Sequence, residues 1–319
     1  MKCGSDTYIV NGSTLVASAF SQFGPWAGNH YCAISNTGEV FCWGQDDDRQ
    51  VSDSPSGSFT SLASGSHFNC GIQTDGSIVC WGRDGLGQVS DAPNGSFTSL
   101  SLGPYHACGI QTNGNVVCWG YDGYNQVSNT PSGSFTSLSS GENHTCGIQT
   151  DGSVVCWGYD AYGQVSNSPS GSFTSLSSGR DFTCGIQSNG GVVCWGLDNY
   201  GQVGGTPNGN FTKIQAAYQH ICGIQSDESL ICWGRDDYGQ VSDTPTGTFV
   251  ATSGGSYHTC GIRTDGSVTC WGYQYSITGT PPTGTFSTIH SNEQSTCGIL
   301  DSGNVICWGS SSNNQTSPP

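Results

Sequence analysis

Basic residues are scarce: seven Lys and Arg, scattered along 319 residues, face 23 Asp and Glu, for a formal net charge of −16. Phosphate backbones are held by clustered Lys and Arg, so this composition excludes nucleic acid as a partner. An anionic membrane surface is excluded on the same ground. No apolar run approaches the roughly 18 residues of a membrane-spanning helix, so membrane insertion is not expected. Charged residues make up only 9% of the chain, while Gly contributes 49 residues and aromatics 11%. That balance is turn-rich and strand-like, and too aromatic for disorder. Also missing are a Ser-His-Asp order, a phosphate loop and an acid pair that stands apart. Catalysis needs an asymmetric constellation, so the chain is read as no enzyme and as needing no cofactor.

Cysteine, by contrast, is abundant, at 17 residues. Zinc sites use short-spaced Cys or Cys/His knuckles, and none occurs; every pair reads Cys-x9-Cys. Disulfides in an oxidising compartment follow, with an extracellular or cell-surface location. Met1 to Phe20 shows no charged start followed by a long apolar core. The expectation is therefore a signal already removed, or a domain excised from a longer chain.

Internal periodicity decides the fold. A Cys-Trp-Gly step recurs at Trp43, Trp81, Trp119, Trp157, Trp195, Trp233, Trp271 and Trp308, 38 residues apart except for one interval of 37. Within one unit, Phe135 to Ser139, His144 to Gln149 and Ser153 to Trp157 read as strands, with Gln164 to Ser166 as a brief fourth. Thr150-Asp151-Gly152 makes a three-residue hairpin loop whose Gly takes positive φ. Pro169-Ser170-Gly171 turns into the next unit. Four short antiparallel strands per unit make a propeller blade. The expected fold is all-β: a β-propeller of eight four-stranded blades over residues 19–319, with seven blades plus an extra unit as the alternative. One Trp per unit is expected to pack against the adjoining blade. Unit eight ends near Asn314-Gln315 without a following Phe-Thr-Ser-Leu strand, which Ala19 to Phe23 can supply.

The recurring pattern Gly-x-x-His-x-Cys, Asp-Gly-x-Val-x-Cys-Trp-Gly, Gly-Gln resembles the repeat of the regulator of chromosome condensation family, in its cysteine-paired secreted form. The resemblance covers about 300 residues and recurs in all eight units. It implies a propeller, typically seven-bladed, that binds other proteins. Members include a nucleotide-exchange factor and secreted β-lactamase inhibitors. The acidity and cysteines set this chain apart from the exchange factor.

With a three-residue hairpin loop, counting outward from residues 73 and 77 places Cys70 opposite Cys80. The same register pairs Cys32 with Cys42, Cys108 with Cys118, Cys146 with Cys156, Cys184 with Cys194, Cys222 with Cys232, Cys260 with Cys270 and Cys297 with Cys307. Cys3 is left over, unpaired or intermolecular. It lies in an extension, residues 1–18, whose runs Thr7 to Val10 and Thr14 to Val16 have no place in the repeat and could serve assembly. His30, His106, His144, His220 and His258 recur two residues before the first cysteine. They read as a metal ring or as scaffold, but ring symmetry spreads them too widely for one zinc ion, so no metal is expected. Asp46, Asp84, Asp122, Asp160, Asp198 and Asp236 follow each Trp by three. They offer either a weak calcium site or a turn closed on its own backbone.

Strand alternation puts the Gly-x-x loop and the loop after Trp-Gly on one face, and the Asp-Gly and Pro-x-Gly turns on the other. The second face is monotonous, whereas the first varies. On the variable face Arg83, Tyr105, Tyr121, Tyr159, Arg180, Tyr218, Arg235, Tyr257 and Tyr273 are candidate anchors, being residue types favoured at interfaces. Free drift of exposed loops is the competing explanation. Asn11, Asn94, Asn143, Asn210 and Asn314 sit in Asn-x-Ser/Thr and are glycosylation candidates in a glycosylating host. The expectation is a secreted, non-catalytic propeller binding a protein or glycan through this face. The alternatives are a subunit of an extracellular fibre or coat, or an enzyme inhibitor of the β-lactamase-inhibitor kind, the last from the resemblance alone.

Overall fold

The repeat dictates short hairpins, and a computed structural model shows how they assemble. It describes residues 7–10, 13–16, 19–24, 28–273 and 281–319. Cys3 and Asn11 lie outside the described residues. Eight open, three-stranded antiparallel sheets follow one another in chain order. In unit four they are Phe135–Ser140, His144–Gln149 and Val154–Gly158. Residues of the first strands line a shared central cavity, and the second strand lies between the first and the third. A separate two-stranded sheet pairs Thr7–Val10 with Ser13–Val16, Thr7 opposite Val16; the two runs of the extension thus pair with each other.

The hairpin register is the one the sequence implies. Cys146 sits opposite Cys156 and Ile148 opposite Val154. The loop closes with Gly152 at φ 86° and a Gly152 N–H to Gln149 carbonyl bond of 2.9 Å. All eight Cys-x9-Cys pairs form disulfides across this register. Such a count belongs to an oxidising environment. Among the described residues no helix is long and apolar enough to cross a membrane.

The expected fourth strand is corrected. Gln164, Val165 and Ser166 lie in a turn, so each blade has three strands. The physical reason is local. Asp160 Oδ1 accepts the backbone N–H groups of Val165 and Ser166 at 2.8 and 2.9 Å. The donors a ladder would need are spent on the loop. Val51/Ser52, Val89/Ser90, Val127/Ser128 and Val241/Ser242 repeat the pattern.

The core is built between units rather than within them. The Cys108–Cys118 bridge of unit three packs with Ile110 and Val116 against Phe135 and Trp157 of unit four. The tryptophans do pack against the adjoining blade as their recurrence implied, each buried beside the preceding unit's cysteines. Each indole N–H also finds a partner: Trp157 donates to the Gln126 carbonyl at 3.1 Å and Trp195 to that of Gln164 at 3.0 Å. In unit seven Thr278 stands where the others have this Gln, and Trp308 instead meets Cys270 Sγ at 3.4 Å.

The same contacts run from unit eight to unit one. Phe20 N–H donates to the Gly303 carbonyl at 2.8 Å, as Phe135 N–H does to Gly114 at 2.9 Å. Phe20, Phe23, Tyr31 and Trp43 share a core with Cys297 and Ile299. Phe20–Phe23 is thus the first strand of unit one and also meets the last unit. The eighth unit is docked like the others, not detached as in the seven-plus-one alternative.

Candidate binding face

Each unit ties its two variable loops together through the backbone. Arg83 N–H donates to the His67 carbonyl, Tyr121 to Tyr105, Tyr159 to Asn143, Arg235 to Gln219 and Tyr273 to Tyr257, all at 2.8 to 3.0 Å. The Gly-x-x loop and the loop after Trp-Gly therefore share a face, as strand alternation requires.

Nine residues singled out from the sequence lie on this face, and eight of them fall into groups. Tyr105 meets Tyr121 at 6.4 Å between ring centroids. The row continues through Tyr124 to Tyr159, at 6.0 and 4.7 Å. A second group gathers Arg235, whose guanidinium lies 5.2 Å over Tyr257, with Tyr273 at 6.2 Å from Tyr257. Arg180 lies 5.1 Å over Tyr218 and is paired with Glu142 and Asp181. Arg83 is exposed and joins none of these groups. Burial of Asp181, with Glu142 beside it, pushes its carboxyl above the ordinary range despite Arg180.

Sequence reasoning missed the position five beyond each Trp. There the structure exposes Leu86, Tyr124, Tyr162, Tyr200 and Tyr238, 41 to 47% accessible. The signal was available: four successive units carry Tyr at that spacing. Each backbone N–H is clamped by a fully buried Gln two residues on. Tyr124 donates to Gln126 Oε1 and Tyr162 to Gln164 Oε1, both at 2.9 Å, while Tyr200 and Tyr238 donate to Gln202 and Gln240 at 2.8 Å. The exposed rings stand on fixed backbone, so little ordering is left to a binding event.

Inside the ring of Gly-x-x loops opens a cavity of about 470 Å³, with Tyr105, Glu142, Arg180, Tyr218 and Glu293 among its lining residues. Its wall is stitched by hydroxyls. Ser101 Oγ accepts the Ser140 N–H, Ser139 that of Ser178 and Ser177 that of Ala216, at 2.8 to 2.9 Å.

The recurring histidines are scaffold. His106 Nε2 meets Thr145 Oγ1 and His144 meets Thr183, both at 2.8 Å, each reaching the next unit. His30 bonds Asn69, His220 bonds Thr259 and His258 bonds Thr296 in the same way. Burial lowers their pKa values to about 3 for His144 and His220 and about 4 for the others. Among the described residues no three His, Cys, Asp or Glu gather as a metal site. The loop aspartates close turns: Asp46, Asp84, Asp122, Asp160, Asp198 and Asp236 each accept two loop N–H groups on Oδ1. Asn94, Asn210 and Asn314 are exposed, and Asn143 is half-buried.

A comparison with characterised protein sequences returns no match. Solved structures do match. The entire ectodomain of the Physcomitrella patens receptor kinase CR4 is 25% identical, with TM-score 0.62, over 92% of this chain and 74% of that one. The CRINKLY WD40 ectodomain of the Arabidopsis thaliana receptor kinase ACR4 is 25% identical, with TM-score 0.61, over 81% of this chain and 98% of that one. Prp20p from Saccharomyces cerevisiae, described with its binding to Gsp1p and histones, is 14% identical, with TM-score 0.62 over 94% of each chain, and shares the fold. Residues 28–50, 59–88, 97–126, 135–164, 173–202 and 249–276, more than half of the sequence, match the sequence model of the Regulator of chromosome condensation (RCC1) repeat. Residues 211–240 and 286–315 fall outside those segments and carry the same three strands. The chain therefore belongs to the RCC1-repeat family, in a version with one disulfide in every unit.

Proposed function

We propose that this chain is an exported, non-catalytic binding module that docks a protein or glycan on its variable face. The observation that carries the reading is the row of tyrosines and arginines across units three to seven, set on loops whose backbones are already hydrogen-bonded in place. Tyr and Arg dominate binding energy at protein interfaces, and tyrosine rings equally stack on sugars. Two matched structures are receptor ectodomains, and Prp20p is described as binding proteins. The ectodomains fit an extracellular setting, and Prp20p fits a protein ligand. The test is an array of extracellular proteins and glycans probed with the intact chain. Each hit is measured again with Arg83→Ser, Tyr121→Ser, Tyr159→Ser and Tyr273→Ser combined. Loss of the hit supports the reading; hits that survive unchanged contradict it.

A further inference from the structure

We propose that the tyrosine face takes an arginine-rich, positively charged protein segment, laying its guanidinium groups on the exposed sides of the Tyr124, Tyr162 and Tyr238 rings. The proposal rests on the reading of this face as a binding surface and names the chemistry of its partner.

The geometry follows from a rule of the repeat. The ring five beyond one Trp meets the residue two beyond the next Trp. Tyr124 meets Tyr159 and Tyr238 meets Tyr273, each at 4.7 Å between ring centroids. Where that second residue is arginine, the chain displays its own guanidinium mode. Arg235 lies 5.0 Å over the Tyr200 ring, donates from Nε to Asp237 Oδ2 at 2.6 Å and from Nη1 to Gln219 Oε1 at 2.7 Å. Arg180 repeats the arrangement over Tyr218 with Glu142. Both are a guanidinium on an aromatic face with a carboxylate alongside, the combination that favours Arg over Lys.

Among the described residues no guanidinium lies over Tyr124, Tyr162 or Tyr238; Tyr159 and Tyr273 stand against Tyr124 and Tyr238 where Arg235 stands against Tyr200, and the three rings remain 43, 47 and 43% exposed. Two residues before each stands an exposed aspartate: Asp122, Asp160 and Asp236. Its Oδ1 holds the loop, and among the described residues its Oδ2 takes no hydrogen bond. Burial is the largest single influence and raises these carboxyls, but the two backbone N–H bonds and the Ser hydroxyl together outweigh it and keep them below the ordinary range. Arg180 and Arg235 already face Glu142, Asp181 and Asp237, and the exposed Arg49 and Arg83 belong to the loops of units one and two rather than to those that carry the three rings. With the whole chain at −16, a cationic segment is steered to the protein as well as seated on it.

The test uses the intact chain and three labelled probes, octa-arginine, octa-lysine and octa-glutamate, by fluorescence anisotropy at physiological salt. Simple charge attraction treats the two cationic peptides alike; stacking does not. Octa-arginine is expected to bind about fivefold or more tighter than octa-lysine, and octa-glutamate not at all. Tyr124→Ser, Tyr162→Ser and Tyr238→Ser combined leave the charge unchanged, yet should weaken octa-arginine about tenfold and remove its advantage. Asp75→Asn, Asp151→Asn and Asp265→Asn combined, on the opposite face, remove three charges and should change binding less than about twofold. Equal affinity for the two cationic peptides overturns the proposal, as does equal weakening by the opposite-face variant. If the peptides fail while a glycan or other protein is lost in the quadruple face variant above, the face binds and only the cationic partner is wrong. If no ligand depends on the face, both readings fall.

Discussion

Trp43 of unit one donates its indole N–H to the carbonyl of Gln315 in unit eight at 3.0 Å, across 272 residues of sequence. The bond is the one Trp157 makes to Gln126 within the chain, so the termini are joined by the contact that joins every neighbour but one. Trp43→Phe keeps the ring and leaves the buried Gln315 carbonyl without its donor. It should cost about 1–3 kcal/mol in denaturant unfolding, and Trp157→Phe should cost about the same. A negligible loss at Trp43 beside a large one at Trp157 would mean that unit one is not docked on unit eight.

Removing one disulfide tests two contributions together. Cys146→Ala with Cys156→Ala opens a short loop, for about 2–3 kcal/mol by chain entropy, and also thins the contact with Trp195. Equilibrium unfolding should show a loss at or above that range. A loss under about 1 kcal/mol would say that packing between units tolerates the gap and that the bridge adds little.

Stability should fall on acidification before the carboxylates titrate. The unfolded histidines bind protons near pH 6.5, whereas burial holds folded His30, His106 and His258 to about 4 and His144 and His220 to about 3. Between these values the unfolded state binds more protons, so unfolding free energy rises with pH. The contribution is full above about pH 6.5 and is lost progressively down to about pH 4 and 3. Below about pH 4 the loop aspartates, held under their ordinary range, add a loss of the same sign. Thermal melts from pH 7 to pH 4 should show a falling midpoint, and replacing His106 and His144 by Gln should flatten the slope. A midpoint independent of pH across that window contradicts the buried, neutral assignment.

Glu228 occupies the hairpin position that Gly fills in the other seven units, with φ 68°. A side chain there is strained and Gly is not. Glu228→Gly should therefore raise stability by about 1 kcal/mol in denaturant unfolding, an unusual direction for an exposed substitution. Destabilisation would mean that the carboxylate makes a contact outweighing the strain.

How far these features could be read in advance depended on whether a residue acts within its own hairpin. The Cys70–Cys80 pairing and the positive φ of Gly76 follow from a three-residue loop and the period of two in a strand. The closing role of Phe20 followed from counting strands. Gln164 to Ser166 misled because Val165 is β-prone, while the deciding group, Asp160, sits outside the window that propensity weighs. The buried glutamines were visible only as a recurrent Gly-Gln, since their work is done across a unit boundary: Gln126 holds Tyr124 through Oε1 and Trp157 through its carbonyl. Tyr124, Tyr162, Tyr200 and Tyr238 are constant between their units, so variation, which marks the candidate anchors, does not single them out.

That the tyrosine-rich face is the binding surface is tested most directly by hydrogen exchange on the parent with a bound array ligand. Protection is expected in the loops at 104–106, 121–126, 159–164 and 235–240, with the opposite turns at 74–76, 112–114 and 150–152 exchanging as in the free protein. Protection confined to those opposite turns, with the tyrosine loops unchanged, would contradict the account.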